Sequence, residues 1–132
     1  MKQYLFHSII GSLMYAMLYT RLDLTYSTSS LSQFLLNLGT THWKSLMVIM
    51  KYVQATKHLN ICYGDNQSAN ILEGYTDADW AIDVDTRRST FGLVFLFNQV
   101  PISWNSQKQT SVALSSTESE YITTMNATKE TI

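Results

Sequence analysis

Asp77 and Glu120 are the residues of this chain whose types and placement best suit chemistry. Asp77 lies in Gly74-Tyr75-Thr76-Asp77-Ala78-Asp79-Trp80-Ala81, and Glu120 in Ala113-Leu114-Ser115-Ser116-Thr117-Glu118-Ser119-Glu120-Tyr121. The first sits at the end of an expected strand, the second one turn inside an expected helix. Hard cations take oxygen ligands, so two carboxylates on separate rigid elements can hold a divalent metal against a phosphodiester. Each also has an ordinary structural reading. An aspartate at a strand end forms turns, and a glutamate in a first helical turn answers the helix dipole.

Other reactive groups point to less. Asp79, Asp83 and Asp85 thicken the negative charge after Asp77, but their spacing lacks the glycine and terminal glutamate of a calcium loop, so a solvated acidic loop is expected. Arg87, Arg88 and Lys108, with Trp80 and Trp104, could touch a nucleic-acid backbone over a small patch. The net charge of −1 gives no wider electrostatic footprint for such binding. Cys62 is the only cysteine, which excludes an internal disulfide and a cysteine zinc site; a thiol buried in a strand is expected. His7, His42 and His58 share no metal-ligand spacing and read as surface or boundary residues. Asn66-Gln67-Ser68 and Asn126-Ala127-Thr128 fit the glycosylation acceptor pattern, which matters only in a secreted chain.

The 132 residues are enough for one domain with a core of its own. Only 14% are charged, against about a quarter in ordinary domains, which leaves a sparsely solvated surface or a piece of something larger. The first half reads as helices. Ile10, Leu13, Met14 and Met17 follow one helix face. Asp23 is positioned to cap a second helix carrying Leu31, Phe34, Leu35 and Leu38, with Gly39 as its left-handed stop. Thr40 or Thr41 would cap a third, whose stripe is Trp43, Leu46, Met47, Met50 and Val53. Residues 1–19 have a second reading as a signal-peptide-like segment, though they are too short and interrupted for a stable membrane span.

The second half reads as strands and one helix. Strands are expected at residues 60–63, 71–77 and 92–97. Asn98-Gln99 forms a tight connection to a further strand from Pro101, and residues 112–114 extend that side of the sheet. Ser115 or Ser116 caps the final helix. The class is therefore α+β, with helices in residues 1–63 and a sheet domain in residues 64–132, the polar stretch 64–70 marking the boundary.

Ordered words across nearly the whole chain resemble copia-type retrotransposon polyproteins. Ser8-Ile9-Ile10-Gly11-Ser12-Leu13-Met14-Tyr15, Thr20-Arg21-Leu22-Asp23-Leu24, His42-Trp43 and Lys51-Tyr52-Val53 are similar to the tail of the reverse transcriptase. The words around Asp77 and Glu120, with Arg88-Ser89-Thr90, Ile102-Ser103-Trp104 and Lys108-Gln109, are similar to the RNase H region that follows it. The resemblance implies N-terminal helices followed by a truncated RNase H-like domain, a three-stranded sheet plus one helix. In that family two metal ions, held by four acidic residues, cut the RNA of an RNA–DNA hybrid. Asp77 matches the first acid and Glu120 the second, as catalytic residues and metal ligands. The third lies in an Asp-Asn-x-Ser-Ala word on a later strand and the fourth beyond it, and neither falls within these residues. Asp65-Asn66-Gln67-Ser68-Ala69 spells that word ahead of the first catalytic strand, where it is read as a coincidence. Leu22 stands where the family has proline, and Ile82 where it has glycine.

Three functions are compatible with that ancestry. A magnesium-dependent RNase H-type nuclease acting on RNA–DNA hybrids is one, and there magnesium is the cofactor. An inert transposon remnant is another. The third follows a resemblance to secreted RxLR-type effectors of downy-mildew pathogens that are built on such fragments. It implies no cofactor, secretion followed by entry into a host plant cell, and suppression of defence or cell death through a host protein target. The chain has no Arg-x-Leu-Arg, the nearest word being Arg21-Leu22-Asp23-Leu24. The effector reading is preferred because two carboxylates are too few for a pair of metal ions. The alternative location is intracellular, within a retroelement polyprotein.

Overall fold

The structure, a computed structural model, describes residues 2–64 and 70–131, the side chains of Lys2 and Gln3 aside. The upstream Asp-Asn-Gln-Ser-Ala word at 65–69, and the glycosylation acceptor within it, lie outside the described residues. The chain divides into two compact units, Met1–Ile61 and Cys62–Ile132. The class is α+β as expected, with four α-helices and one three-stranded antiparallel sheet among the described residues.

Unit 1 is built on α1 (Lys2–Tyr19), a 3-10 turn (Leu22–Leu24), α2 (Thr25–Ser32) and α3 (Thr40–Ala55). Phe6, Ile10, Leu13 and Met17 recur along one face of α1 and bury with Leu24, Leu31 and Leu46. Met14, expected in that stripe, is exposed, because Leu13 one position away already faces the core. The second helix is shorter than its apolar spacing suggested. It ends at Ser32, whose hydroxyl donates to the Ser29 carbonyl, and its serine-rich sequence favours such local bonds over helix. Leu35 and Leu38 still pack on the core from beyond the helix, while Phe34 stacks on His42 with ring centroids 3.9 Å apart.

Two expected caps are corrected. Asp23 caps nothing, because Arg21 and Tyr52 already engage its carboxylate; Leu24 occupies the N-cap of α2 without a side-chain bond. Gly39 is extended (φ −94°, ψ 165°) and starts α3 instead of stopping α2. Its N–H donates to His42 Nδ1 at 3.1 Å and its carbonyl accepts from the Trp43 N–H, so neither Thr40 nor Thr41 is the cap. On α3, Leu46 is buried and Trp43, Met47, Ile49 and Val53 pack beside it, whereas Met50 turns out to be exposed.

Unit 2 contains β1 (Leu72–Asp79), β2 (Thr90–Phe97), β3 (Val100–Lys108) and α4 (Ser116–Glu130), with sheet order β1-β2-β3. Neither 60–63 nor 112–114 is a strand; short apolar runs form strands only where a ladder partner exists. Cys62 is accordingly exposed and not in a strand, contrary to expectation. Alternation buries Phe91, Leu93 and Phe95 on one face of β2, and Ala127 of α4 closes against them. Asn98 and Gln99 both take positive φ, 50° and 68°, the backbone of a two-residue type I′ hairpin whose twist matches its strands. The Phe95 ring lies over Gly74, where a Cβ would meet it at 2.7 Å, so β1 needs glycine there.

Candidate functional site

β1 delivers Asp77 and α4 delivers Glu120. Asp77 pairs with Gly92 in the ladder, and strand alternation puts it on the face opposite Phe91, Leu93 and Phe95. Glu120 follows the buried Ser119 and is exposed, as is Asp77. Two contacts fix where they stand. Trp80, just beyond β1, donates its indole N–H to the Ala113 carbonyl, just ahead of α4, at 3.1 Å. Gln109 Nε2 donates to the Ser119 carbonyl at 2.9 Å and to Thr123 Oγ1 at 3.2 Å, tying the end of β3 to the start of α4. The C-terminal end of β1 and the first turns of α4 therefore share one end of unit 2. The carboxylates come to that end from opposite faces of the sheet.

Glu118 has a separate task. Ser115 Oγ accepts from the Glu118 N–H at 3.1 Å, and Glu118 Oε2 accepts from the Leu114 N–H at 2.7 Å. Reciprocal capping of this kind satisfies amides that the helix start leaves without partners. The sequence left Ser115 and Ser116 both open as the cap, and Ser115 is the one that serves.

The loop joining β1 to β2 is built rather than merely solvated. Asp83 pairs with Lys108, and its Oδ1 accepts from the N–H groups of Asp85 and Thr86. The Lys108 hydrogen bond, aided by the Thr86 N–H, holds the Asp83 carboxyl well below the usual carboxylate range. The Ala81 N–H donates to Ser89 Oγ at 3.1 Å, and Ser89 is fully buried. Lys108 is thus committed to Asp83, and Trp80 to Ala113, which leaves Arg87 and Arg88 as the exposed basic pair of the small patch.

A polar network in unit 1 was not foreseen. Arg21 reaches both Asp23 oxygens and Thr56 Oγ1, the last at 2.7 Å, and the Tyr52 hydroxyl donates to Asp23 Oδ2 at 2.8 Å. The Arg21 bond lowers the Asp23 pKa; Asp23 in turn raises the pKa values of Arg21 and Tyr52. The Arg21-Leu22-Asp23 spacing was the available signal. The network ties the 3-10 turn to α3.

Among the described residues no group of three or more His, Cys, Asp or Glu side chains is arranged to hold a metal. Paired metal ions lie about 3.5–4 Å apart and need oxygen donors on both sides, so two exposed carboxylates do not fit them. No helix is long and apolar enough to cross a membrane among the described residues.

No family model and no solved structure matches the chain. Curated relatives do. The chain is 44% identical over 127 residues to the retrovirus-related Pol polyprotein of transposon TNT 1-94 from Nicotiana tabacum, covering 96% of this chain and 9% of that one. Similarity to the corresponding polyprotein of transposon RE2 from Arabidopsis thaliana is 38% over 125 residues, 95% of this chain and 8% of the relative. Secreted RxLR effector protein 161 from Plasmopara viticola is 42% identical over 132 residues, covering 100% of this chain and 92% of the effector. The chain thus spans less than a tenth of the Pol polyproteins it matches.

Proposed function

Since the chain belongs to the family of copia-type retrotransposon Pol sequences, which also takes in the effector-named relative, we propose that it is a retroelement-derived, catalytically incomplete RNase H-like protein serving as a secreted pathogen effector. It acts by contact with a host plant protein and suppresses defence or cell death. The observation that carries this reading is similarity over 92% of the length of a protein named as a secreted effector.

In this reading export leaves α1 attached. Removal of residues 1–19 would strip Phe6, Ile10, Leu13 and Met17 from the core of unit 1. A reporter fused behind residues 1–25 tests export: it accumulates outside the cell, and retention inside removes the effector role.

A second reading is favoured by one observation, that Asp77 and Glu120 stand exposed at the same end of unit 2. It is a magnesium-dependent RNase H-type endonuclease segment of a copia-type polyprotein. An RNA–DNA hybrid cleavage assay with magnesium, run beside Asp77→Asn and Glu120→Gln, separates the two. Cleavage that either substitution abolishes would replace the effector reading with the nuclease.

A further inference from the structure

α3 begins without the usual side-chain cap, because its N-cap residue, Gly39, has no side chain to accept an amide. His42, three residues on, supplies the reciprocal half of a capping box: Nδ1 accepts from the Gly39 N–H at 3.1 Å. That bond requires the neutral ring with its proton on Nε2, since a protonated imidazole is a donor at both nitrogens. The same half-buried ring stacks on Phe34, with centroids 3.9 Å apart and planes at 18°, so it ties the connection ahead of α3 to the first turn of that helix. Ring, amide and stacking partner all lie in residues 34–42, so the arrangement is complete in itself.

Unit 1 offers an imidazolium at this place no partner. Residues 25–39, which carry α2 and the connection, hold no charged residue, and Tyr26 is their one titratable group. α1 brings Lys2, Tyr4, His7, Tyr15 and Tyr19. α3 brings Lys44, Lys51 and Tyr52, with Lys57 and His58 after it. Asp23 is the one carboxylate in residues 1–61, and Arg21 and Tyr52 engage it. Tyr52 stands about 15 Å along the helix axis from His42. The positive end of the α3 dipole also disfavours a charge on His42. Phe34 alone would attract a cation, and that attraction opposes a lost acceptor, the dipole and Lys44 together. We propose that His42 is an acid-released latch: the neutral ring closes the start of α3 against its connection, and protonation opens both. The stability it contributes is present while the ring is neutral and is lost as the pH falls through its titration. Imidazoles change charge between about pH 5 and 8, so release falls in the physiological range. The inference goes beyond the effector reading, because the latch requires neither export nor a host.

The test labels the full chain with nitrogen-15 and follows imidazole nitrogens and amide protection between about pH 7.5 and 5. At the upper end the His42 proton is expected on Nε2, with Nδ1 bare. On acidification the protection of the Gly39 and Trp43 amides, corrected for intrinsic exchange, should fall about fivefold, as for loss of a typical cap. His42→Gln keeps a capping-box acceptor that does not titrate and should hold protection level across the range. His7 and His58 remain in that variant, so an acid effect of theirs persists there. A proton on Nδ1 at the upper end would overturn the proposal, as would an equal acid loss in His42→Gln or unchanged protection in the wild type.

Discussion

Unit 1 and unit 2 are stabilised by different means. The helical unit buries seven apolar side chains in one cluster, from Phe6 to Leu46. The main cluster of the sheet unit holds Phe91, Leu93 and Phe95 of a single strand with Ala127 of α4, while the other buried residues of that helix, Ser119 and Thr123, are polar. Where apolar surface is scarce, hydrogen bonds take its place: Gln109 to α4, Ala81 to Ser89, and the Ser115–Glu118 cap. A thin core leaves a unit sensitive to single polar changes, whereas a thick one is sensitive to lost volume.

Substitutions can break or sharpen that contrast. Phe6→Ala removes the ring of a fully buried residue and should cost about 3–5 kcal/mol, read as lost amide protection in α1 and α3. Protection of β2 is the control, and an equal loss there would end the comparison. Gln109→Leu keeps the volume but removes the bonds to Ser119 and Thr123. It should cost about 1–3 kcal/mol in urea unfolding followed at unit 2, and a neutral result would mean that hydrogen bonds do not hold this unit. Gln99→Gly relieves a side chain from a left-handed position and should stabilise the hairpin by about 0.4–1 kcal/mol, seen as slower exchange in β2 and β3.

The smallest effect is a pH response that each unit owns separately. The carboxyls of Asp23 and Asp83 are both held below their ordinary value of 3.8. Depressed carboxyls contribute stability above about pH 4, and it is lost as the pH falls through their folded pKa values. Asp23→Asn should flatten this acid limb for unit 1 alone, and Asp83→Asn for unit 2 alone, in urea midpoints measured from about pH 6 to 2.

Strong local chemistry was legible in the sequence. β2 showed itself by its apolar run, the hairpin by Asn98-Gln99, and the start of α4 by the Ser115-Ser116 pair, either of which could cap it. Other features were decided by partners that no local pattern reveals. Leu31 to Leu38 kept a helical spacing, yet Ser32 ended the helix and the later leucines reached the core from a turn. Asp23 has the composition of a cap but is engaged by Tyr52, 29 residues away. Residues 60–63 and 112–114 looked like strands and found no ladder. At the candidate site both carboxylates and their elements were legible. Their arrival from opposite faces follows from the β1–β2 register, which spacing alone does not fix.

The meander has a kinetic consequence. Every strand lies beside its neighbour in sequence, and β2 and β3 are joined by only two residues. The β2–β3 pairing is therefore local, with hairpin closure expected on the order of microseconds, whereas the bond from Trp80 to Ala113 spans 33 residues and forms later. The β2–β3 hairpin can in this way acquire its pairing as it leaves the ribosome, from information held within its own two strands and turn.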